Sequence, residues 1–282
     1  MEYALTRSAF KNEALLQTLE ALFYAYCSID AKLYVVGAVA RDICLSLLNS
    51  EESPRKTLDL DVAVMLDKWG EYETLSGILV GKGFVKAIEK QRFYFITGFG
   101  LRYEVDIVPF GQIAENDMVA WPPEGNPVMS VKSFAEVMEH ADVIIVDGEF
   151  KFYIAPLSGQ WLIKLDAWYD RHLITGKDAS DMQFILENAY INYVISRNEI
   201  PEEVNIDAET FDLTVAGAEW VASDIKKMLS HQKCNVYAEL LENELIQEEE
   251  SALINDLFDR SRTSSFDSIR KAIRRMAEIL RG

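Results

Sequence analysis

The stretch RKTLDLDVAVML, Arg55 to Leu66, sets two aspartates, Asp59 and Asp61, inside an otherwise apolar run. Its alternation and its valines predict a β-strand. In a strand, residues i and i+2 share a face, roughly 7 Å apart at the Cα. Both carboxylates then look to one side, while Leu58, Leu60 and Val62 take the other and pack on the core. Two like charges on one face are costly to bury. Either that face is wet, or something cationic sits between them.

A third carboxylate of the same kind lies downstream. In YEVDIVPF, Asp106 stands among Val105, Ile107 and Val108 on another predicted strand. Three aspartates from adjacent strands form a hard-oxygen cradle for Mg²⁺, one ion or two. Such ions activate an attacking hydroxyl and steady the leaving phosphate of a nucleoside triphosphate. Upstream, KLYVVGAVA reads as a short buried strand running into Gly37, and VARDICLSLL as the helix after it. Amides at such a helix start, those of Gly37 and Ala38, can hold phosphate, and Arg41 and Asp42 fall in its first turns. Gly37 could equally be a plain turn glycine, and Arg41 and Asp42 a surface pair. A strand, a glycine turn, a helix and then DxD on the next strand is more specific than any one part.

The rest of the chain divides in two. Residues 9–27 read as an amphipathic helix, WGEYETLSGILVGKG as a second, and RFYFITGFG with RYEVDIVPF as paired strands. VIIVDGEFKFYI reads as a hairpin turning at Asp147 and Gly148. From Pro156 onward strands disappear, and helical spacing runs to Gly282. The expectation is an α/β (α+β) fold: a small mixed β-sheet core flanked by helices over 1–155, then an all-α region over 156–282, with a softer break near 200.

Composition bounds the function. The 282 residues are 49% hydrophobic and 11% aromatic, ample for a packed core. Apolar runs such as ADVIIV are too short to span a bilayer, so no membrane partner is expected. Cys27, Cys44 and Cys234 lack metal-ligand spacing, and no signal-like segment opens the chain; a reducing, cytoplasmic compartment is expected. The net charge of −18 excludes a nucleic-acid-binding surface over the whole molecule. Residues 197–259 hold 16 Asp/Glu against 4 Lys/Arg, and 260–282 hold 7 Lys/Arg against 2 Asp/Glu. That asymmetry reads as a solvated acidic region before a basic last helix, or as a docking surface for a basic partner. No GxxxxGK[ST] or GxGxxG occurs, so the main signals of the P-loop and Rossmann sites are absent. His140, His172 and His231 have no ligand spacing. Trp121 either stacks on a base or pins its proline-rich loop to the core.

The glycine turn, the DxD strand and the later Asp106 together resemble the nucleotidyltransferase superfamily, the polymerase-β-like fold. Its tRNA-CCA-adding branch has two glycines and then valine-arginine-aspartate at the turn. Here the order is Gly37-Ala38-Val39-Ala40-Arg41-Asp42, so position 38 offers only its backbone amide. Over most of 30–195, LDLDVAVMLDKW, VDIVPFGQIAENDMVAWPP, LIKLDAWYDR and KDASDM look like the AbiEii/MenT-type nucleotidyltransferases, toxins of bacterial toxin–antitoxin pairs. That family's KxxAxxxR matches Lys164, Ala167 and Arg171, and its [RK]DxxD matches Lys177, Asp178 and Asp181.

The resemblance implies a Mg²⁺-dependent enzyme moving a nucleotide from an NTP to an acceptor hydroxyl, with Asp59, Asp61 and Asp106 as metal ligands. Asp59, Asp61, Asp106, Lys164, Asp178 and Asp181 would be its catalytic set; Gly37, Ala38, Arg41, Lys164 and Arg171 would bind nucleotide. It also implies tRNA as acceptor and a cognate antitoxin protein as partner. Physics offers compatible roles. Lys164 and Arg171 share a helix face and can contact phosphate oxygens. Asp178 or Asp181 can pair with them or orient the acceptor. A small molecule or a protein as acceptor, a non-catalytic nucleotide-binding module of the same fold, and a plain salt-bridged pair of helices are the alternatives.

Overall fold

A computed structural model describes residues 1–49, 59–197, 199–207 and 209–282. Leu58 and the start of the RKTLDLDVAVML stretch, Arg55 to Thr57, lie outside the described residues. The chain splits into two compact units, one of Met1–Ile43 with Glu52–Pro156, the other of Cys44–Glu51 with Leu157–Gly282.

The first unit, with α2 from Cys44 onward counted in the second, runs β1 (Glu2–Leu5), α1 (Glu13–Cys27), β2 (Tyr34–Val36), α2 (Gly37–Asn49), β3 (Asp59–Met65), α3 (Trp69–Gly81), β4 (Phe84–Lys86), β5 (Arg92–Ile96), β6 (Arg102–Phe110), β7 (Met118–Ala120), β8 (Val128–Ser130), α4 (Phe134–Glu139), β9 (Asp142–Val146) and β10 (Phe150–Ile154). Its mixed sheet has eight strands in the order β1-β9-β10-β2-β3-β6-β5-β4; β7 and β8 pair separately. The sheet is wider than the small one expected, because β1 adds in parallel to β9 at one edge. The four residues EYAL are too few to announce a strand without their partner. The first helix also starts later than expected, at Glu13, because Asn12 caps it: the Asn12 side chain accepts from the Leu15 amide.

At the centre, β3 runs antiparallel to β2 and parallel to β6. One face is the apolar core: Leu60, Val62, Val64, Phe93, Tyr103, Val105 and Ile107 are all buried. The other face carries Asp59, Asp61, Glu104 and Asp106. This is the period-two alternation of a half-polar sheet. The β9–β10 hairpin turns at Asp147 and Gly148, both left-handed with φ of 49° and 71°, as its turn type demands.

The second unit is helical: α5 (Leu157–Arg171), α6 (Lys177–Ser196), α7 (Leu213–Met228), α8 (His231–Ile246), α9 (Ala252–Arg260) and α10 (Phe266–Arg281). Helix α7 is buried from Thr214 to Ile225, its polar Thr214, Glu219, Ser223 and Asp224 included, the mark of a central helix. Asp212, Ser230, Ser251 and Ser265 cap α7, α8, α9 and α10 through their side chains. Part of the charge asymmetry is settled inside this unit. Arg275 of the basic last helix bonds the buried Glu219 at 2.7 Å, and Arg281 pairs with Glu242. Among the described residues, no helix is long and apolar enough to cross a membrane.

Candidate active site

Strand β2 ends at Val36, which pairs with Asp61, and the chain turns at once into α2 through Gly37. Gly37 has φ of 67°, a left-handed conformation that a side chain disfavours. Space demands glycine as well. A Cβ at Gly37 would overlap Asp61 Oδ2 and lie 3.3 Å from both Cβ and Cγ of Asp61. The Asp61 carboxylate is therefore laid against the turn at the start of α2. Ala38 follows within the helix and is half-buried. Arg41 is 5% exposed and binds Asp42 Oδ1 through Nε at 3.1 Å and Nη2 at 2.8 Å. So deep a guanidinium braces the first turns of α2.

Across the sheet, Asp61 stands beside Asp106 in register, and Asp106 beside Arg92 of β5. One row away, Asp59 stands beside Glu104. Arg92 grips Asp106 in a fork, Nε to Oδ1 and Nη2 to Oδ2, both at 2.8 Å. Its Nη1 reaches Glu104 Oε2 at 2.8 Å. Hydrogen bonding to Asp106 raises the guanidinium pKa further, so this cation is permanent. Asp59 is exposed and has no hydrogen bond or ion pair among the described residues. Part of the question posed by the aspartates is thus answered: a cation on this face is Arg92, which serves Asp106 and Glu104, and Arg102 also approaches Glu104 at 3.9 Å.

Both Asp106 oxygens accept from Arg92. Among the described residues, no group of three or more His, Cys, Asp or Glu side chains is placed to hold a metal ion. Asp59 and Asp61 lie two residues apart on β3. Two carboxylates fit Mg²⁺ when phosphate oxygens and water complete its shell. Arg92 and Glu104 escaped the sequence reading. Glu104 had a signal, since it stands two residues before Asp106 in the same spacing as Asp59 to Asp61. Arg92 opens RFYFI, but its pairing partner depends on hairpin register.

In the second unit, α5 and α6 bring Lys164, Arg171, Asp178 and Asp181 together. Asp178 is fully buried and accepts from Arg171 Nε at 2.7 Å, Arg171 Nη2 at 2.8 Å and Lys164 Nζ at 3.2 Å. Lys164 also reaches Asp181 Oδ2 at 2.9 Å. Burial pushes the Asp178 pKa up, but the Arg171 fork and Lys164 outweigh it and hold the carboxyl below its usual value. A carboxylate so stabilised is a poor proton acceptor. Lys177 begins α6 and is exposed.

Other candidates fall away from the site. Trp121 is 2% exposed and packs on Trp69 and Tyr72, ring centroids 5.4 and 6.2 Å apart, so it pins its loop to the core. His172 stacks on Trp168 at 4.3 Å. His140 and His231 are exposed.

No family model matches the chain, and no curated protein matches it. Among solved structures, the chain is similar to a provisionally assigned nucleotidyltransferase from H. pylori, at 16% identity over 96% of this chain and 96% of that one, with a TM-score of 0.35. A likeness that distant carries no weight on activity, which has to be argued from the residues.

Proposed function

We propose that the protein is a nucleotidyltransferase that moves a nucleotide from an NTP to an acceptor hydroxyl. The observation that carries this reading is the Gly37 turn closed against Asp61. A carboxylate laid beside amides at a helix start puts a cation site and a phosphate site side by side. The Gly37 and Ala38 amides, aided by the α2 dipole, are proposed to take phosphate oxygens. Asp59 and Asp61 are proposed to hold a divalent cation. When bound, that ion would neutralise charge on the phosphate oxygens. Arg41 would act through α2, keeping its first turns in place.

In the reaction, the acceptor oxygen bonds to the α-phosphorus as the bond to the bridging α–β oxygen breaks. Pyrophosphate leaves with that electron pair, and the acceptor proton passes to a base or water. Catalysis of this kind is chiefly positioning and charge neutralisation. For the second unit, the proposed role of Lys164 and Arg171 is anion recognition, with Asp178 fixing both cations. Of the two acidic residues there, Asp181 is the better candidate to orient an acceptor.

On the motif resemblance alone, the acceptor we put forward is the 3′ end of a tRNA, and the protein a toxin with a cognate antitoxin. One observation favours a second reading, a non-catalytic nucleotide-binding module: Asp106 is occupied by Arg92. Incubation with Mg²⁺, each α-³²P-labelled NTP in turn, and bacterial RNA or protein separates these. Ribonuclease-sensitive label is expected. Protease-sensitive label would move the acceptor to protein, and NTP binding without any transfer would favour the module.

A further inference from the structure

We propose that Arg102, laid over Tyr94, is a stacking platform for a base at the single-stranded end of an RNA acceptor. The proposal deepens the nucleotidyltransferase reading and rests on it for the place where the acceptor reacts; stacking itself is tested without any NTP.

Placement comes from the register. The strand order β2-β3-β6-β5 puts the Gly37 turn on one flank of Asp59 and Asp61 and β5 on the other. Tyr94 of β5 stands in line with Glu104 and Asp59, and Arg102 of β6 stands with Ile96 in the next line. All five share the face that carries the aspartates. With strands about 4.8 Å apart and same-face neighbours about 7 Å apart, the Arg102 Cα lies roughly 8 Å from that of Asp59. With the phosphates that leave as pyrophosphate held at the turn, an in-line attack brings the acceptor from the opposite flank. That flank is β6 and β5.

The Arg102 guanidinium carbon lies over the Tyr94 ring, 4.4 Å from its centroid. Arg102 Nη2 is 3.9 Å from Glu104, which Arg92 holds in turn at 2.8 Å. One side of the guanidinium thus rests on a ring, while the side chain stays 62% exposed. A planar cation held this way offers its outer face to another π-system, and bases stack on guanidinium planes as they do on aromatic rings. Ile96, also exposed, adds apolar surface beside it. Stacking suits this chain. With a net charge of −18 and four carboxylates on this face, attraction for phosphate is weak, and stacking holds a base without it. A serine or threonine acceptor has no π-face to place there.

The test is the fluorescence of a short single-stranded RNA carrying 2-aminopurine at its 3′ end, a base that stacking quenches. It is titrated without NTP with wild type, Tyr94→Phe, Tyr94→Ala, Arg102→Gln and Arg102→Lys. Wild type and Tyr94→Phe should bind alike and quench. Tyr94→Ala and Arg102→Gln should bind about fivefold or more weakly. Arg102→Lys, which keeps the charge and loses the plane, should lose the quench. NTP affinity, measured by calorimetry, should be the same in all five. Should Tyr94→Ala fail to fold, the two variants of the exposed Arg102 decide. Arg102→Lys equal to wild type in affinity and quench would show charge attraction alone and overturn the proposal. A fall in NTP affinity as large as that for RNA would also overturn it, by moving the platform to the base of the NTP. If wild type binds no RNA yet labels protein, the platform is refuted and the nucleotidyltransferase reading stands. RNA bound and quenched as expected, with no transfer of label from any NTP, sinks that reading and leaves the platform.

Discussion

Replacing Gly37 by alanine tests the geometry on which the site depends. Two costs are expected. A non-glycine residue held at φ of 67° costs about 1–2 kcal/mol. The new Cβ would also overlap Asp61 Oδ2. Asp61 cannot retreat, because β3 is paired on both sides, with β2 and with β6. Its carboxylate must instead rotate off its rotamer, at about 1 kcal/mol. The total is about 2–3 kcal/mol, a fall in melting temperature of roughly 4–12 °C for a domain of this size. A double-mutant cycle separates the terms. In an Asp61→Ala background the oxygen is gone, so only the backbone cost of about 1–2 kcal/mol should remain. Urea denaturation of the four proteins gives the coupling. An equal cost of Gly37→Ala in both backgrounds, or a cost below about 0.5 kcal/mol, would refute the close approach of Asp61 to the turn.

The remaining expectations concern other parts of the fold. Asp178→Asn should lower stability in urea by about 2–3 kcal/mol, because it strips a buried counter-ion from Lys164 and Arg171; half-exposed Arg171 can recover water, which limits the loss. The pH dependence follows in sign. Asp178 is held below its usual 3.8, so its contribution is complete above that value and is lost as pH falls through the lower folded pKa. The gap between wild type and Asp178→Asn should be flat from about pH 5 to 7 and narrow in stronger acid, as followed by denaturation at each pH. Gly217→Ala in α7 should destabilise by about 1–3 kcal/mol, although alanine is the better helix former, because its Cβ would run into the Leu186 backbone carbonyl. Trp121→Ala should cost about 3–5 kcal/mol and Trp121→Phe much less, with NTP affinity in the Phe variant unchanged, since the ring is core rather than platform.

Much of this arrangement was legible in the sequence, for identifiable reasons. DLDVAVM alternates cleanly, so its two faces could be assigned without a partner strand. The Gly37 turn and Asp147-Gly148 were visible because left-handed backbone selects for such residues. Lys164, Arg171, Asp178 and Asp181 were picked out by the motif resemblance, and α5 and α6 do bring them together. What escaped depends on pairing between segments. EYAL becomes a strand only against β9, and Arg92 finds Asp106 only through the register of β5 on β6. The acidic 197–259 region looked like a surface feature, yet Glu219 is buried against Arg275, a contact 56 residues away in sequence. Local pattern reports faces; it does not report partners.

The most direct measurement is calorimetric titration of each NTP into wild type and Asp61→Asn, with Mg²⁺ and with EDTA in its place. The Gly37–Asp61 arrangement predicts binding of at least one NTP that weakens about tenfold or more on removing the metal, and that is lost in Asp61→Asn while the variant stays folded. Equal NTP binding by both proteins, indifferent to Mg²⁺, would contradict a metal–nucleotide site at this turn.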